Sequence, residues 1–239
     1  MSRLAHLKKE ILAKGSPAKA KASARFFKTG KGQYGEGDVF VGLTVPELRT
    51  ITKNYRDAPL RELTLLLRCR EHEFRLAALI ILAEQFERAA EAEQKKIYEM
   101  YLANTKWINN WDLVDSSAPN IVGAYLHTRA KTPLFTLAKS PSLWERRIAM
   151  VATYAFIQKG EAETALRVAE ILIHDTHDLM HKAVGWMLRE VGKKSSLKAE
   201  LQFLDTHAAT MPRTALRYAI ERLSPAQRAM YMKKALIRE

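Results

Sequence analysis

Asn110-Trp111-Asp112-Leu113-Val114-Asp115 is the stretch on which the reading of this chain turns, because its pattern recurs. Four segments fall into register with Asn110–Val114: Phe74-Arg75-Leu76-Ala77-Ala78, Arg146-Arg147-Ile148-Ala149-Met150, His181-Lys182-Ala183-Val184-Gly185 and Arg213-Thr214-Ala215-Leu216-Arg217. From the second residue of each segment to the next, the steps are 36, 36, 35 and 32. Helical segments repeated at that interval predict stacked helix pairs, an all-α repeat solenoid.

The repeated positions differ from an aliphatic core stripe. The second residue runs Arg75, Trp111, Arg147, Lys182, Thr214, and four residues later come Leu79, Asp115, Val151, Trp186 and Tyr218. Residues i and i+4 share a helix face, so in a stack of repeats the two columns predict one continuous strip. Two Trp, one carboxylate and several cations make it a candidate binding surface. A carboxylate among cations stays ionised, which suits Asp115 to stabilising positive charge on a substrate or orienting a water. Two Trp can hold a flat cationic base by stacking and cation–π attraction, about 0.5–2 kcal/mol each. Arg147 and Lys182 can grip phosphates. The same spacing also allows a structural bridge from Asp115 to Arg147, with both Trp as packing.

The 239 residues are read as a single body over 1–239, with 47% hydrophobic content to build a core. No apolar run approaches membrane-spanning length, and Met1–Glu10 lacks the apolar stretch of a signal peptide. The lone Cys69 excludes an internal disulfide and fits a reducing cytosol. Net charge is +13, concentrated at the ends: +8 over residues 1–31, +5 over 213–239, and neutral between. Basic ends on a neutral body predict two clamps on a polyanion, with nucleic acid favoured; solubilising charge on two terminal helices is the other reading, and the lack of a strongly amphipathic basic helix argues against a membrane partner.

Along the chain, helices are expected at 2–14, 17–29, 44–55, 59–70, 72–87, 91–103 and 111–128, then from 143 to 158, at 161–173, 178–191, 198–207 and 212–222, and after Ser224-Pro225. Thr44-Val45-Pro46-Glu47 and Ser142-Leu143-Trp144-Glu145 read as capping boxes. Pro119 should kink or split its helix. Between them, Gly30–Asp38 is glycine-rich and Val39–Leu43 is β-prone, a candidate loop or hairpin at 30–43. It is no phosphate loop, since no Gly-Lys-Ser/Thr follows. No metal motif is present: His174 and His177 beside Asp175 sit at a helix–helix turn, where capping is expected. No cofactor is implied.

At these residues the chain resembles the AlkD-type alkylpurine DNA glycosylases, a family of HEAT-like helical repeats. The motifs are Trp-Asp-Leu-Val-Asp at 111–115, Trp-x-x-Arg-x-Ala at 144–149, Lys-Ala-Val-Gly-Trp-Met-Leu-Arg-Glu at 182–190 and, more weakly, Leu-Thr-Val-Pro-Glu-Leu-Arg at 43–49. The resemblance implies a catalytic set of Trp111, Asp115, Arg147 and Trp186. Arg75, Arg146, Lys182, Arg213, Arg217 and Lys28 are the candidate DNA contacts. The implied activity is removal of cationic N3- or N7-alkylated purines from double-stranded DNA by a monomer, without flipping the base into a pocket. Related branches with a β-hairpin at the glycine-rich segment are associated with binding branched DNA, so a non-catalytic DNA binder is the alternative.

Overall fold

The computed structural model describes residues 3–234; the outermost residues of the first and last expected helices, Arg238 of the basic C-terminus among them, lie outside the described residues. Every regular element among the described residues is helical. In chain order these are α1 Arg3–Ala13, α2 Pro17–Phe26, α3 Val45–Thr52, α4 Leu60–Leu67, α5 His72–Arg88, α6 Glu91–Leu102, α7 Trp111–Ala118, α8 Ala124–Leu126 and α9 Thr132–Ala138. They continue with α10 Leu143–Ala152, α11 Tyr154–Gln158, α12 Glu163–Leu172, α13 Asp178–Lys194, α14 Leu197–His207, α15 Arg213–Ala219 and α16 Pro225–Lys234. The chain divides at Ile121/Val122 into two compact units.

The five aligned segments lie on α5, α7, α10, α13 and α15, with Asn110 as the cap of α7. In the first unit α5 is the central helix, packed on α3, α4 and α7. In the second, α10 rests on α9 and α13, and α13 rests on α12, α14 and α15. That is the pairing of neighbours expected of a helical repeat. A close approach of two helices falls at Gly185 on α13, where a Cβ would come within 2.3 Å of the Ala215 carbonyl oxygen on α15. Only glycine lets those backbones meet.

Local chemistry sets the helix ends. Thr44 and Glu47 form the full capping box: Thr44 Oγ1 accepts from the Glu47 amide, and Glu47 Oε2 accepts from the Thr44 amide at 2.7 Å. Ser16 caps α2 ahead of Pro17, and Ser142 caps α10 through the Glu145 amide. The expected break at Pro119 takes the form of one wide π-turn, Pro119–Gly123, between α7 and α8. Proline has no amide to continue the i→i−4 ladder, and the wider turn absorbs the loss.

The box expected at Ser142 is half formed, because the Glu145 carboxylate and the Ser142 amide both bind Ser140 Oγ, and of the loop or hairpin expected at 30–43 the loop is what forms. Helix α9 forms where no element was expected. The glycine-rich segment forms no hairpin: 30–38 is a run of turns, closed by Gln33 N–H to Gly30 O, Glu36 N–H to Gln33 O and Asp38 N–H to Gly35 O, each within 3.1 Å. The extended run beyond makes a single bridge, Val39 with Glu71. Its amides are taken by a side chain instead of a strand. The buried Glu73 carboxylate accepts from the N–H groups of Val41 (2.8 Å), Gly42 (2.8 Å) and Leu43 (3.2 Å). Gly42 adopts φ 92°, and a Cβ there would lie 2.1 Å from the Ser16 carbonyl oxygen. The turn therefore requires glycine.

Candidate active site

The first unit holds Trp111 and Asp115 one turn apart on α7, both half-buried. They face the same cavity, about 280 Å³, lined by Val45 and Arg49 of α3, Leu76 and Ile80 of α5, and Trp111, Asp112, Asp115 and Ser116 of α7. Its walls are largely apolar, with two carboxylates, one arginine and the Ser116 hydroxyl as polar groups. On α7, Ser117 Oγ meets the Tyr101 hydroxyl of α6 at 2.9 Å. Burial pushes that phenol well above its ordinary pKa; the hydrogen bond to Ser117 works the other way, and the charge of Asp115 adds to the rise.

The two carboxylates lie in different environments. Asp112 Oδ1 accepts from the Leu113 amide at 2.9 Å, and Asp112 Oδ2 lies 2.7 Å from His72 Nε2. On its other side His72 Nδ1 lies 3.0 Å from Asp38 Oδ2. Asp38 also receives Asn110 Nδ2 at 3.0 Å and, on Oδ1, the guanidinium of Arg75. Burial works to strip the second proton from His72, but hydrogen bonds to Asp112 and Asp38, with their charges, outweigh it and hold its pKa up to about 9. His72 is therefore an imidazolium at neutral pH. Burial would raise the Asp38 carboxyl, yet the bonds from His72 and Asn110 and the charge of Arg75 hold it below its ordinary value. The result is a buried chain Arg75–Asp38–His72–Asp112 that neutralises Asp112.

Aromatic rings close over this chain. His72 stacks on Phe40 (centroids 4.6 Å apart), Phe40 on Phe27 (5.1 Å) and Phe27 on Trp111 (5.2 Å). Asn110 completes the junction by accepting from the Trp111 amide at 2.8 Å as cap of α7. The glycine-rich loop, α2, α5 and the start of α7 thus meet at one cluster. It fixes both the ring of Trp111 and the first turn of the helix that carries Asp115.

The expected DNA contacts fare differently. Arg75 does not present itself to a phosphate: it is 3% exposed and committed to Asp38 and to the carbonyls of Cys69 and Arg70. The reason is that α5 is buried from His72 to Leu82, so its column points inward. Lys28, in the left-handed region at φ 52°, is exposed after the end of α2.

In the second unit, Arg147 is 5% exposed and its Nη1 donates to the Leu179 carbonyl at 2.6 Å. Arg146 spends its fork on Asp175 (2.6 Å) and on the carbonyls of Ser140 and Pro141. Lys182 pairs with Asp178 at 2.7 Å. Arg217 is exposed, whereas Arg213 Nη1 is buried with no hydrogen-bond partner among the described residues. Trp186 is half-buried, 6.2 Å from the Tyr154 ring, whose hydroxyl accepts from Lys194. His177 caps α13, as its position predicted, accepting from the Leu179 amide on Nδ1.

The His72 cluster was not anticipated from sequence. Its members are 34 and 40 residues apart and follow no motif spacing. The available signal was a His and an Arg at i and i+3 on a helix otherwise rich in Leu, Ile and Ala, where buried charges need partners.

Fold and cavity together define a helical-repeat protein with a carboxylate-and-tryptophan site on the start of one helix. The family model for the DNA alkylation repair enzymes matches residues 7–223, and the chain belongs to that family. Its role is in DNA repair. Among solved structures, a chain described as a predicted DNA alkylation repair enzyme from Enterococcus faecalis is similar at a TM-score of 0.67 and 17% identity. The match covers 88% of this chain and 97% of that one, a likeness of fold. No curated protein matches the chain.

Proposed function

We propose that the protein is a monofunctional DNA glycosylase that releases cationic N3- or N7-alkylated purines from double-stranded DNA, acting as a monomer. The observation that carries this reading is the cavity in which Trp111 and Asp115 face the same space. At about 280 Å³ it falls just under the ~300–1,000 Å³ of pockets that engulf a small molecule. That suits contact with a nucleotide in place better than capture of a flipped base.

Alkylation of a ring nitrogen makes the purine a cation and a good leaving group. As the glycosidic bond breaks, its electron pair departs with the base, which leaves neutral, and positive charge develops on the deoxyribose. Asp115 stabilises that charge and orients the water whose oxygen attacks the sugar carbon and whose proton is lost. Trp111, held by its stack on Phe27, offers a π-face to the cationic nucleotide. Asp112 takes no direct part, since its carboxylate is bound to the His72 imidazolium. The AlkD-type resemblance implies Arg147 and Trp186 as the other members of the catalytic set.

The test is release of free alkylpurine from methylated duplex DNA. Release supports the glycosylase; no release, together with tight binding to junction DNA, would favour the non-catalytic alternative.

A further inference from the structure

Among the large apolar side chains of the described residues, Phe26 is the most exposed, at 64%. It is the last residue of α2, and its exposure is not that of a loose side chain. Its ring meets Phe27 edge-on at 5.1 Å and Trp111 edge-on at 5.9 Å, so it stands beside the Trp111 end of the Trp111–Phe27–Phe40–His72 stack. No parallel ring covers either of its faces among the described residues.

The surroundings identify what would cover it. From Ile11 to Gly35 the chain carries six Lys or Arg and no acid. Lys19 pairs with Glu47 and Lys14 with Glu10, while Lys21, Arg25, Lys28 and Lys31 are exposed with no acidic partner among the described residues. An exposed ring on a rigid base, among cations, matches a surface for a strand that presents both phosphates and π-faces. A protein partner for an isolated phenyl would bring apolar neighbours, but the residues flanking the Phe26-Phe27 pair are Arg25 and Lys28.

We propose that Phe26 is a stacking wedge for DNA: it fills a gap in the base stack beside Trp111 while Arg25, Lys28 and Lys31 hold the adjacent phosphates. This rests on the DNA reading above and adds a residue and a role to it. Apolar side chains inserted at base steps are a general means of opening a duplex locally. Here the wedge lies against the ring that lines the Asp115 cavity, so it opens the stack next to the carboxylate.

The experiment compares wild type, Phe26→Ala and Phe26→Trp on two duplexes of one sequence, one intact and one with a single abasic site whose stack is already interrupted. Binding is read by fluorescence anisotropy over a series of salt concentrations. Wild type and Phe26→Trp should prefer the abasic duplex by about 5- to 100-fold, the worth of one base stacked on an aromatic ring. Phe26→Ala should lose that preference, keeping its affinity for the intact duplex and its salt slope. The proposal is overturned if wild type has no preference, or if Phe26→Ala binds both duplexes as wild type does, as a protein or lipid partner for this ring would have it. An equal loss on both duplexes also overturns it. Those results leave the DNA reading standing; a wild type without salt-dependent duplex binding overturns both.

Discussion

Replacing His72 by glutamine tests the charge carried by the buried cluster. Folded, the ring lies between Asp112 (2.7 Å) and Asp38 (3.0 Å) and holds its second proton to about pH 9, against an ordinary value of 6.5. The native state then binds a proton that the unfolded chain has shed. Its stabilisation is complete below about pH 6.5 and is lost as pH rises from there through about 9. At about 1.4 kcal/mol per pH unit, the gap is worth about 3 kcal/mol, a large share of the ~5–15 kcal/mol of an ordinary domain. Glutamine keeps an amide donor but no charge, which leaves Asp38 to Arg75 and Asn110 and Asp112 without its cation, and should cost about 3–5 kcal/mol at low pH. Urea unfolding of wild type and His72→Gln from about pH 6 to 9.5 reads the difference. It should shrink by about 3 kcal/mol across that window, because only wild type loses the proton. A difference that stays constant would mean that His72 is neutral in the fold, and the neutralisation of Asp112 would fall with it.

Two further predictions concern the second unit. Glu200 is 2% exposed and its Oε1 has no hydrogen-bond partner among the described residues; burial pushes its pKa up to about 8. The unfolded chain ionises first, so stability should fall by on the order of 4 kcal/mol as pH rises from about 4.5 to 8; Glu200→Gln should abolish that fall, and parallel melting-temperature profiles of variant and wild type would contradict this. Gly185→Ala drives a methyl to within 2.3 Å of the Ala215 carbonyl oxygen and 2.6 Å of Tyr218 Cβ. It should cost about 1–3 kcal/mol as overpacking of α13 on α15, and an unchanged denaturation midpoint would refute that contact.

The repeat was legible because its signal is spread over the chain: five helices recur at nearly constant spacing, and Asn110 and Ser142 cap two of them just ahead of the first turn. Helix α9 was missed because Thr132–Ala138 is short and opens on Thr132-Pro133, which reads as a loop. Of the loop or hairpin expected at 30–43, the loop forms and the hairpin does not, for the opposite reason. Val39–Leu43 has strand composition, but its amides were claimed by Glu73, 30 to 32 residues away, which no local rule foresees. The i and i+4 columns placed Trp111 and Asp115 on one face correctly. For Arg75 they failed, because spacing reports which residues share a face, whereas the packing of α5 decides that this face turns inward. Charge at a position was likewise legible and its use was not: Asp112 and Asp115 stand three residues apart, and only the long-range bond to His72 separates a neutralised carboxylate from the candidate stabiliser.

The most direct test of the central claim is the rate of alkylpurine release from methylated duplex DNA by wild type and by Asp115→Asn, with duplex affinity measured alongside. If Asp115 stabilises the charge that develops on the sugar, release should fall by roughly 100- to 1,000-fold while DNA affinity stays within a few-fold. Equal release from both proteins would contradict it, and the carboxylate beside Trp111 would not be the group on which the chemistry depends.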